Sequence, residues 1–583
     1  MKKADKYELV SELARRRGFF WPAFEIYGGI SGFIAFGHLG TILKRKIENK
    51  FRDMFLRRLG LYEIESPVIV PAKVFEASGH VKHFKEPMVE CVQCKRKFRA
   101  DHLLEEFTNI TSTEAEKMDL QQIEKTLKKN NVRCPECKGE LSKPRYFLTM
   151  FQTTIGPYAD AVGYGRPEAA QGIFVEFRRL YEQARERLPL GVAQIGHALR
   201  NEISPRQGPI RLREFTIMDL EFFFDPEKKE CPYIDEVKNE VLRIIPAEQR
   251  LKGSEETIEI TVEEALKKGY IQLEWLAFFM CLAKRFLKEL GVPENKQRFI
   301  EKLEWERAHY SIQGFDQEIF LERWGWTEVS GHNYRTDFDL KSHMTESGVD
   351  MRVYKQENRV TEKTKLTIKP RMDKIGRTFR KDTPRILSLI SHVDPEELQK
   401  AFNEKGYCEI EGFKITPEHV EIVREKYVER GRRFIPHVIE PSFGSDRLVY
   451  TVLEYAYSKK NGRTVLKIPK DLAPVEVAVL PLVSKDGLPE KAKEIYRLLL
   501  DEGFYVEYDE SGSIGRRYAR FDEIGTPICV TIDYKSLEDE TVTLRDRDTW
   551  KQVRVPIKDL SHILNEFFRG KKEFEELGLT VEQ

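Results

Sequence analysis

A chain of 583 residues with 40% hydrophobic and 33% charged residues is long enough for about four compact units. It has apolar material for a core and too many scattered charges for a membrane bundle. The 97 Lys and Arg stand against 96 Asp and Glu, so there is no global basic field, and a nucleic-acid partner would have to be held by local patches.

Eight cysteines are too few for a disulfide scaffold. Four of them form two C-x-x-C pairs, which points to a reduced compartment, the cytoplasm. The uncharged run from Ile26 to Leu43 contains five glycines, which favours turns and close packing over a spanning helix, and no membrane role is expected. From Gly40 to about Leu59, residues Ile42, Leu43, Ile47, Phe51, Met54 and Phe55 share one helical face. Tyr62 to Pro71, holding Pro67, reads as a strand at a sheet edge or interface. The paired cysteines lie in an insertion-like block between Glu76 and Arg145, whose middle, Thr113 to Asn130, reads as a polar helix. Gly172–Leu180, Ala193–Glu202 and Ile210–Phe224 read as strands, the last two forming an antiparallel hairpin around I-S-P-R-Q-G-P. Glu227 to Lys302 reads as mainly helical, including the apolar run Trp275–Leu290. A glycine-punctuated strand region follows at Trp324–Leu340, then a basic, irregular stretch at Tyr354–Arg385. Beyond Pro469–Pro474, strands and helices alternate as in a compact α/β domain.

Three patterns carry chemistry. Cys91 and Cys94 pair with Cys134 and Cys137, and four thiolates from two tight turns make a closed tetrahedral shell, the arrangement of a structural Zn²⁺. In the expected hairpin Arg200 and Glu202 share one face, and Arg211 and Phe215 share one face of the returning strand. Guanidinium groups, a carboxylate and an aromatic plate over one patch suit a nucleotide, although cross-strand salt bridges on a solvated face would explain the charges alone. Glu440-Pro-Ser-Phe-Gly-Ser-Asp-Arg447 leads into a helix. An arginine in a helix's first turn opposes the dipole and so favours phosphate binding over a structural role.

Together these segments resemble the three signature motifs of class II aminoacyl-tRNA synthetases: E-S-P-V-I-V-P, R-N-E-I-S-P-R-Q-G-P-I-R-L-R-E-F and E-P-S-F-G-S-D-R. More narrowly, the chain is similar to the glycyl-tRNA synthetases of archaeal and eukaryotic type. The similarity rests on F-E-I-Y-G-G at Phe24, S-G-H-V at Ser78, R-P-E-A-A-Q-G-I-F at Arg166, G-W-T-E-V-S-G at Gly325, R-T-D-F-D-L-K-S-H at Arg335 and S-G-S-I-G-R-R-Y at Ser511. It implies an α+β fold: an antiparallel-sheet catalytic domain with zinc-binding and helical insertions, and a C-terminal α/β anticodon-binding domain. The catalytic parts would be 1–75, 149–226, 311–346 and 431–472. They would be interrupted by the zinc-binding block 76–148, a helical insertion 227–310 and a second insertion 347–430, and followed by the anticodon-binding domain 473–583.

The resemblance further implies a cytoplasmic homodimer, with its interface around Pro67. With ATP and Mg²⁺ it would activate glycine to glycyl-adenylate and transfer it to tRNA(Gly), with diadenosine tetraphosphate as a side product. Carried over by motif position, Arg200 would contact the α-phosphate and Arg211 and Arg447 the outer phosphates. Phe215 and Arg447 would sandwich adenine, Glu202 would reach its amine, and Asn201, Leu212, Arg213, Glu328 and Val329 would complete the ATP site. Glycine would be held by Arg166, Glu168, Asp219, Arg335, Glu440 and Ser442; Asp219 stands where the family commonly has glutamate. Arg516, Arg517 and Arg520, near Tyr505 and Tyr508, would meet single-stranded RNA. A synthetase for another amino acid is disfavoured by the carboxylate set. A non-catalytic relative is disfavoured by the presence of Arg200, Arg211 and Arg447.

Overall fold

The computed structural model describes residues 5–111, 114–115, 117–157, 161–205, 208–391 and 393–581. The chain divides into a larger unit, Met1–Met351 with Pro436–Gln583, and a smaller one, Arg352–Ile435. Nine strands build the main sheet of the larger unit. They are β1 (Tyr62–Glu63), β2 (Leu190–Leu199), β3 (Glu214–Phe224), β4 (Val241–Ile245), β5 (Ile258–Thr261), β6 (Gln297–Glu301), β7 (Gln313–Leu321), β8 (Gly325–Thr336) and β9 (His437–Gly444). Their order is β5-β4-β6-β7-β8-β9-β3-β2-β1, and only the β4/β6 and β1/β2 pairs are parallel.

Five helices matter to the site: α1 (His38–Phe51), α2 (Ala170–Gln183), α3 (Glu274–Glu289), α4 (Phe338–Ser347) and α5 (Ser445–Ala456). Alternation along the strands decides what each face meets. On β3, Met218, Leu220, Phe222 and Phe224 join the main core, where Phe222 lies 4.4 Å from Trp275 at the start of α3. On β9, the ring of Phe443 packs at 5.4 to 5.7 Å against Phe51, Phe55 and Phe286. The opposite face carries Phe215, Ile217, Asp219 and Glu221, and it is roofed at its far end by α2, whose Phe174 and Phe177 meet Phe223 at 5.9 and 4.6 Å.

That roof corrects the strand expected at Gly172–Leu180. Ile173, Phe174, Phe177 and Leu180 are buried at helical spacing, and a nine-residue window of aromatic and β-branched residues hides that period. The stretch Glu227–Lys302 is not mainly helical either: its short apolar runs at 241–245, 258–261 and 297–301 become β4, β5 and β6 and extend the main sheet. Of the expected edge strand, Tyr62–Glu63 forms the edge of the main sheet, and Ile69–Pro71 joins a separate three-stranded sheet. The polar helix runs from Leu120 to Lys129, started by an Asp119–Gln122 capping box; Thr113 lies outside the described residues.

The smaller unit corrects the irregular stretch. Val353–Pro370 pairs antiparallel with Val420–Phe434, and Met372–Phe379 and Thr383–Ser391 are helices. Thr364, Thr367 and Ile368 supply β-branched residues between the charges, as suits a two-stranded ribbon. Its own core is Ile375, Ile386, Ile390, Leu398, Ile415 and Val420. At the C-terminus, Val477–Pro481, Val506–Tyr508, Ile528–Ile532, Thr541–Asp546, Gln552–Pro556 and Leu579–Thr580 form a six-stranded sheet. Ala478, Leu480, Phe521, Ile524 and Cys529 from this part belong to the same apolar core as Leu39, Phe51 and Leu453.

Candidate active site

A cavity of about 590 Å³ opens on the face of β3, β8 and β9 opposite α1 and α3. β2 stops at Leu199 and β3 starts at Glu214. Arg200–Glu202 and Arg211–Arg213 therefore sit in the connection rather than on the strands as expected, because Pro205 and Pro209 cannot continue the ladder. The connection still brings the arginines together. Arg200 lies 5.4 Å from the ring of Phe215, and its Nε donates to the Pro167 carbonyl at 3.0 Å. Arg211 Nε is 3.2 Å from the Glu202 carboxylate. Arg447, in the first turn of α5, donates to the carbonyls of Ile210, at 3.0 Å, and Glu328. Burial, together with the like charges of Arg200 and Arg211, pulls the Arg447 guanidinium below its usual pKa in spite of Glu328. A polyanion would relieve that crowding.

Further along β3 the lining turns acidic. Asp219 stands across from Ser442 of β9, which stands across from Gly331 of β8. Asp219 Oδ2 accepts from the Ala169 amide at 2.8 Å, and Oδ1 accepts from the Ser442 hydroxyl. Glu168, Asp219 and Glu440 are almost fully buried. Behind them, Arg335 donates to both Asp339 oxygens at 2.8 Å and to Glu440 at 2.7 Å, and lies 3.5 Å from Glu168. Burial would raise Glu168, yet His80 and Arg335 hold it well below the usual carboxylate range. Burial and the nearby Glu168 push Asp219 up to about 6 and Glu440 up to about 7, against the pull of Arg335. Neither oxygen of Glu221 has a hydrogen-bond partner among the described residues, and burial raises its pKa well above the usual value. Carboxylates outnumber cations here, so the nook is built to receive one more positive charge.

Of the expected nucleotide contacts, Arg200, Glu202, Arg211, Leu212, Phe215, Glu328, Val329 and Arg447 line the cavity, as do Glu168, Asp219, Glu440 and Ser442 from the glycine set. The other four expected residues are not among those lining the cavity. Arg166 gives its guanidinium to the carbonyls of His197 and Ser66, Arg213 donates to the carbonyls of Glu202 and Ser31, and Asn201 is fixed by its backbone N–H, which donates to the Thr149 carbonyl at 2.7 Å. Arg335 is fully buried behind the carboxylates. Lys302, Asp316, Tyr310 and Asn333 also line the cavity and were missed. Asn333 could have been found two residues from Arg335 on one strand face. Asp316 needed the β7/β8 register, which sets it across from Gly331.

The four paired cysteines converge, with all Sγ atoms within 4.8 Å of one another. The Cys91–Cys137 and Cys94–Cys134 separations are 3.4 and 3.6 Å, close to the roughly 3.8 Å between thiolates around a tetrahedral zinc with bonds of about 2.3 Å. Lys95 and Lys138, each directly after the second cysteine of a pair, take φ of 59° and 61°, which closes both knuckles. In the C-terminal part, Arg516 is exposed, and Arg520 is paired with Asp509 at 2.7 Å. Arg517 is 1% exposed, and its guanidinium serves the carbonyls of Pro481, Asp509 and Leu482. This corrects its expected place among RNA contacts.

A mixed sheet with a cationic and acidic cleft, followed by an α/β domain, fits a class II aminoacyl-tRNA synthetase. Residues 476–567 match the anticodon binding domain family. Over 574 residues the chain is 49% identical to a protein of Pyrococcus horikoshii named glycine–tRNA ligase, an alignment covering 97% of this chain and all of that one. Proteins of the same name from Aeropyrum pernix and Methanocaldococcus jannaschii are each 46% identical, covering 99% and 96% of this chain and 99% of each relative. At such identity and coverage, the chain belongs to the glycine–tRNA ligase family. Among the described residues, no helix is long and apolar enough to cross a membrane.

Proposed function

We propose that this chain is a glycine–tRNA ligase whose reaction takes place in the cleft just described. The observation that carries the reading is the single cavity, with Arg200, Arg211, Arg447 and Phe215 towards one end and Glu168, Asp219, Glu440 and Ser442 towards the other. A carboxylate oxygen of glycine attacks the α-phosphorus of ATP, forming the mixed anhydride as the bond to pyrophosphate breaks. A terminal ribose hydroxyl of tRNA then attacks the glycyl carbonyl, and AMP leaves. The first nucleophile is already ionised at neutral pH, so the chain contributes positioning and charge neutralisation rather than a general base.

In this reading Arg200 neutralises the α-phosphate, while Arg211 and Arg447 hold the outer phosphates. Adenine lies between Phe215 and Arg447, with Glu202 facing its amine. Glu168, Asp219 and Glu440 receive the ammonium, braced from behind by Arg335. The carboxylates of Asp316 and Glu328 are suited to Mg²⁺, since burial and the neighbouring Glu328 already raise Asp316 to about 7 in spite of Lys302. A divalent cation bound there would neutralise phosphate charge. Zn²⁺ would be held by Cys91, Cys94, Cys134 and Cys137 and would stabilise the block around them.

RNA contacts by Arg516 and Arg520 and synthesis of diadenosine tetraphosphate belong to the same proposal, as do the domain boundaries given above, except that 227–310 joins the catalytic sheet and the second insertion is 352–435. So does a homodimer joined near Pro67, which the exposure of Tyr62 and Ile69 supports. ATP–pyrophosphate exchange with each amino acid supplied separately should respond to glycine alone, and Glu168→Ala should abolish the response. Exchange driven equally by another amino acid would sink the reading.

A further inference from the structure

Three side chains converge on one of the two oxygens of Glu168. Gln171 Nε2 donates to Oε1 at 3.0 Å, His80 Nε2 lies 3.2 Å from the same atom, and Arg335 lies 3.5 Å from it. Glu168 also lines the cavity, and these three contacts all fall on Oε1.

The S-G-H segment explains how the imidazole is held there. His80 is fully buried, with Phe75 and Phe84 packed at 5.6 and 5.0 Å from its ring. The Ser78 hydroxyl lies 2.8 Å from Nδ1. If it donates there, the ring hydrogen sits on Nε2, aimed towards the carboxylate. Gly79 takes φ +81°, and a side chain there would start 3.0 Å from His309 Nε2, which itself meets the Ser78 carbonyl at 2.8 Å. Serine, glycine and histidine thus each have a separate physical task. The Nε2 contact with Glu168 is off a good hydrogen-bond line, so its attraction is chiefly electrostatic. His80 does not line the cavity, and it is not placed to touch a reacting atom.

We propose that His80 is a positioning residue for amino-acid recognition: by holding Oε1 of Glu168 it turns Oε2 towards the substrate ammonium. The inference rests on Glu168 as the ammonium ligand, as proposed above.

The test is glycine-dependent ATP–pyrophosphate exchange on the full-length protein, with thermal melts as a folding control. His80→Phe keeps an aromatic ring between Phe75 and Phe84 and removes the donor. It should raise KM for glycine roughly tenfold, as for loss of one close electrostatic contact with a buried carboxylate, worth about 1.4 kcal/mol, and leave KM for ATP within about twofold. His80→Gln, which restores an N–H donor, should recover most of the loss. If His80→Phe does not fold, Ser78→Ala carries the test, and it should raise KM for glycine without moving that for ATP. A folded His80→Phe with unchanged KM for glycine would overturn the proposal, as would an unchanged Ser78→Ala where His80→Phe fails to fold, or equal losses for glycine and ATP. If Glu168→Ala itself left KM for glycine unchanged, the assignment of Glu168 would fail instead, whatever His80 did.

Discussion

Asp219 and Glu440 keep their protons to about 6 and about 7 because both are buried beside Glu168. A carboxylate whose pKa folding raises favours its neutral form in the fold. The free protein should therefore lose stability as pH climbs from the ordinary carboxylate range near 4 through these values. Glycine's ammonium compensates the charge that appears. KM for glycine should fall as pH rises from about 5.5 to 7.5, and the rise in melting temperature produced by glycine should grow over the same window. Exchange kinetics at saturating ATP check this, and a KM that is flat with pH would refute it. Saturating ATP matters because Asp316 titrates in the same range. Single residues were only partly legible in the sequence. Motif strings located Glu168, Asp219 and Ser442, but Arg166 and Arg517 were read as ligand contacts when backbone carbonyls consume both guanidinium groups. A string gives the presence of an arginine, and only the fold gives the direction of its head.

The cysteine block shows what spacing can and cannot convey about an element. Two C-x-x-C turns predict four converging thiolates, and they converge. Spacing did not convey that the block is rooted against the arginine-bearing connection, where Thr149 bonds both Phe84 and Asn201 and the Ser204 hydroxyl donates to the Lys97 carbonyl at 2.6 Å. Purified protein should hold about one zinc per chain. Cys91→Ser should release it and open residues 76–148 to limited proteolysis. Unchanged metal content in that variant would rule out this ligand set. Elements with a long apolar period, such as α1, α3 and α5, could be read in advance. Short ones such as β4 to β6 could not, since runs of four or five residues suit either a buried strand or part of a helix. The roof helix α2 was hidden because its aromatic and β-branched residues mask the helical period.

Charge is distributed unevenly over the whole molecule, although the total is near zero. The segment 352–435 holds twenty Lys and Arg against fourteen Asp and Glu, and Lys374, Arg377 and Arg380 are exposed. If this face meets tRNA, aminoacylation should weaken steeply with added salt while pyrophosphate exchange changes little. Replacing those three residues by alanine should lower the log–log salt slope by about 0.7 to 0.9 for each phosphate that is no longer neutralised. An unaltered slope would exclude the face. The molecule's division was less legible than its charge. A change of pattern near Pro469–Pro474 marked off a compact C-terminal domain, yet Leu480, Phe521 and Ile524 share the core of α1 and α5, and Arg16 and Arg17 both clasp Glu523. The catalytic sheet and the part matching an anticodon-binding family are therefore joined by a common apolar core and by ion pairs. Removing the residues beyond Ala473 would strip apolar cover from Leu39, Phe51 and Leu453 and should lower the melting temperature of what remains.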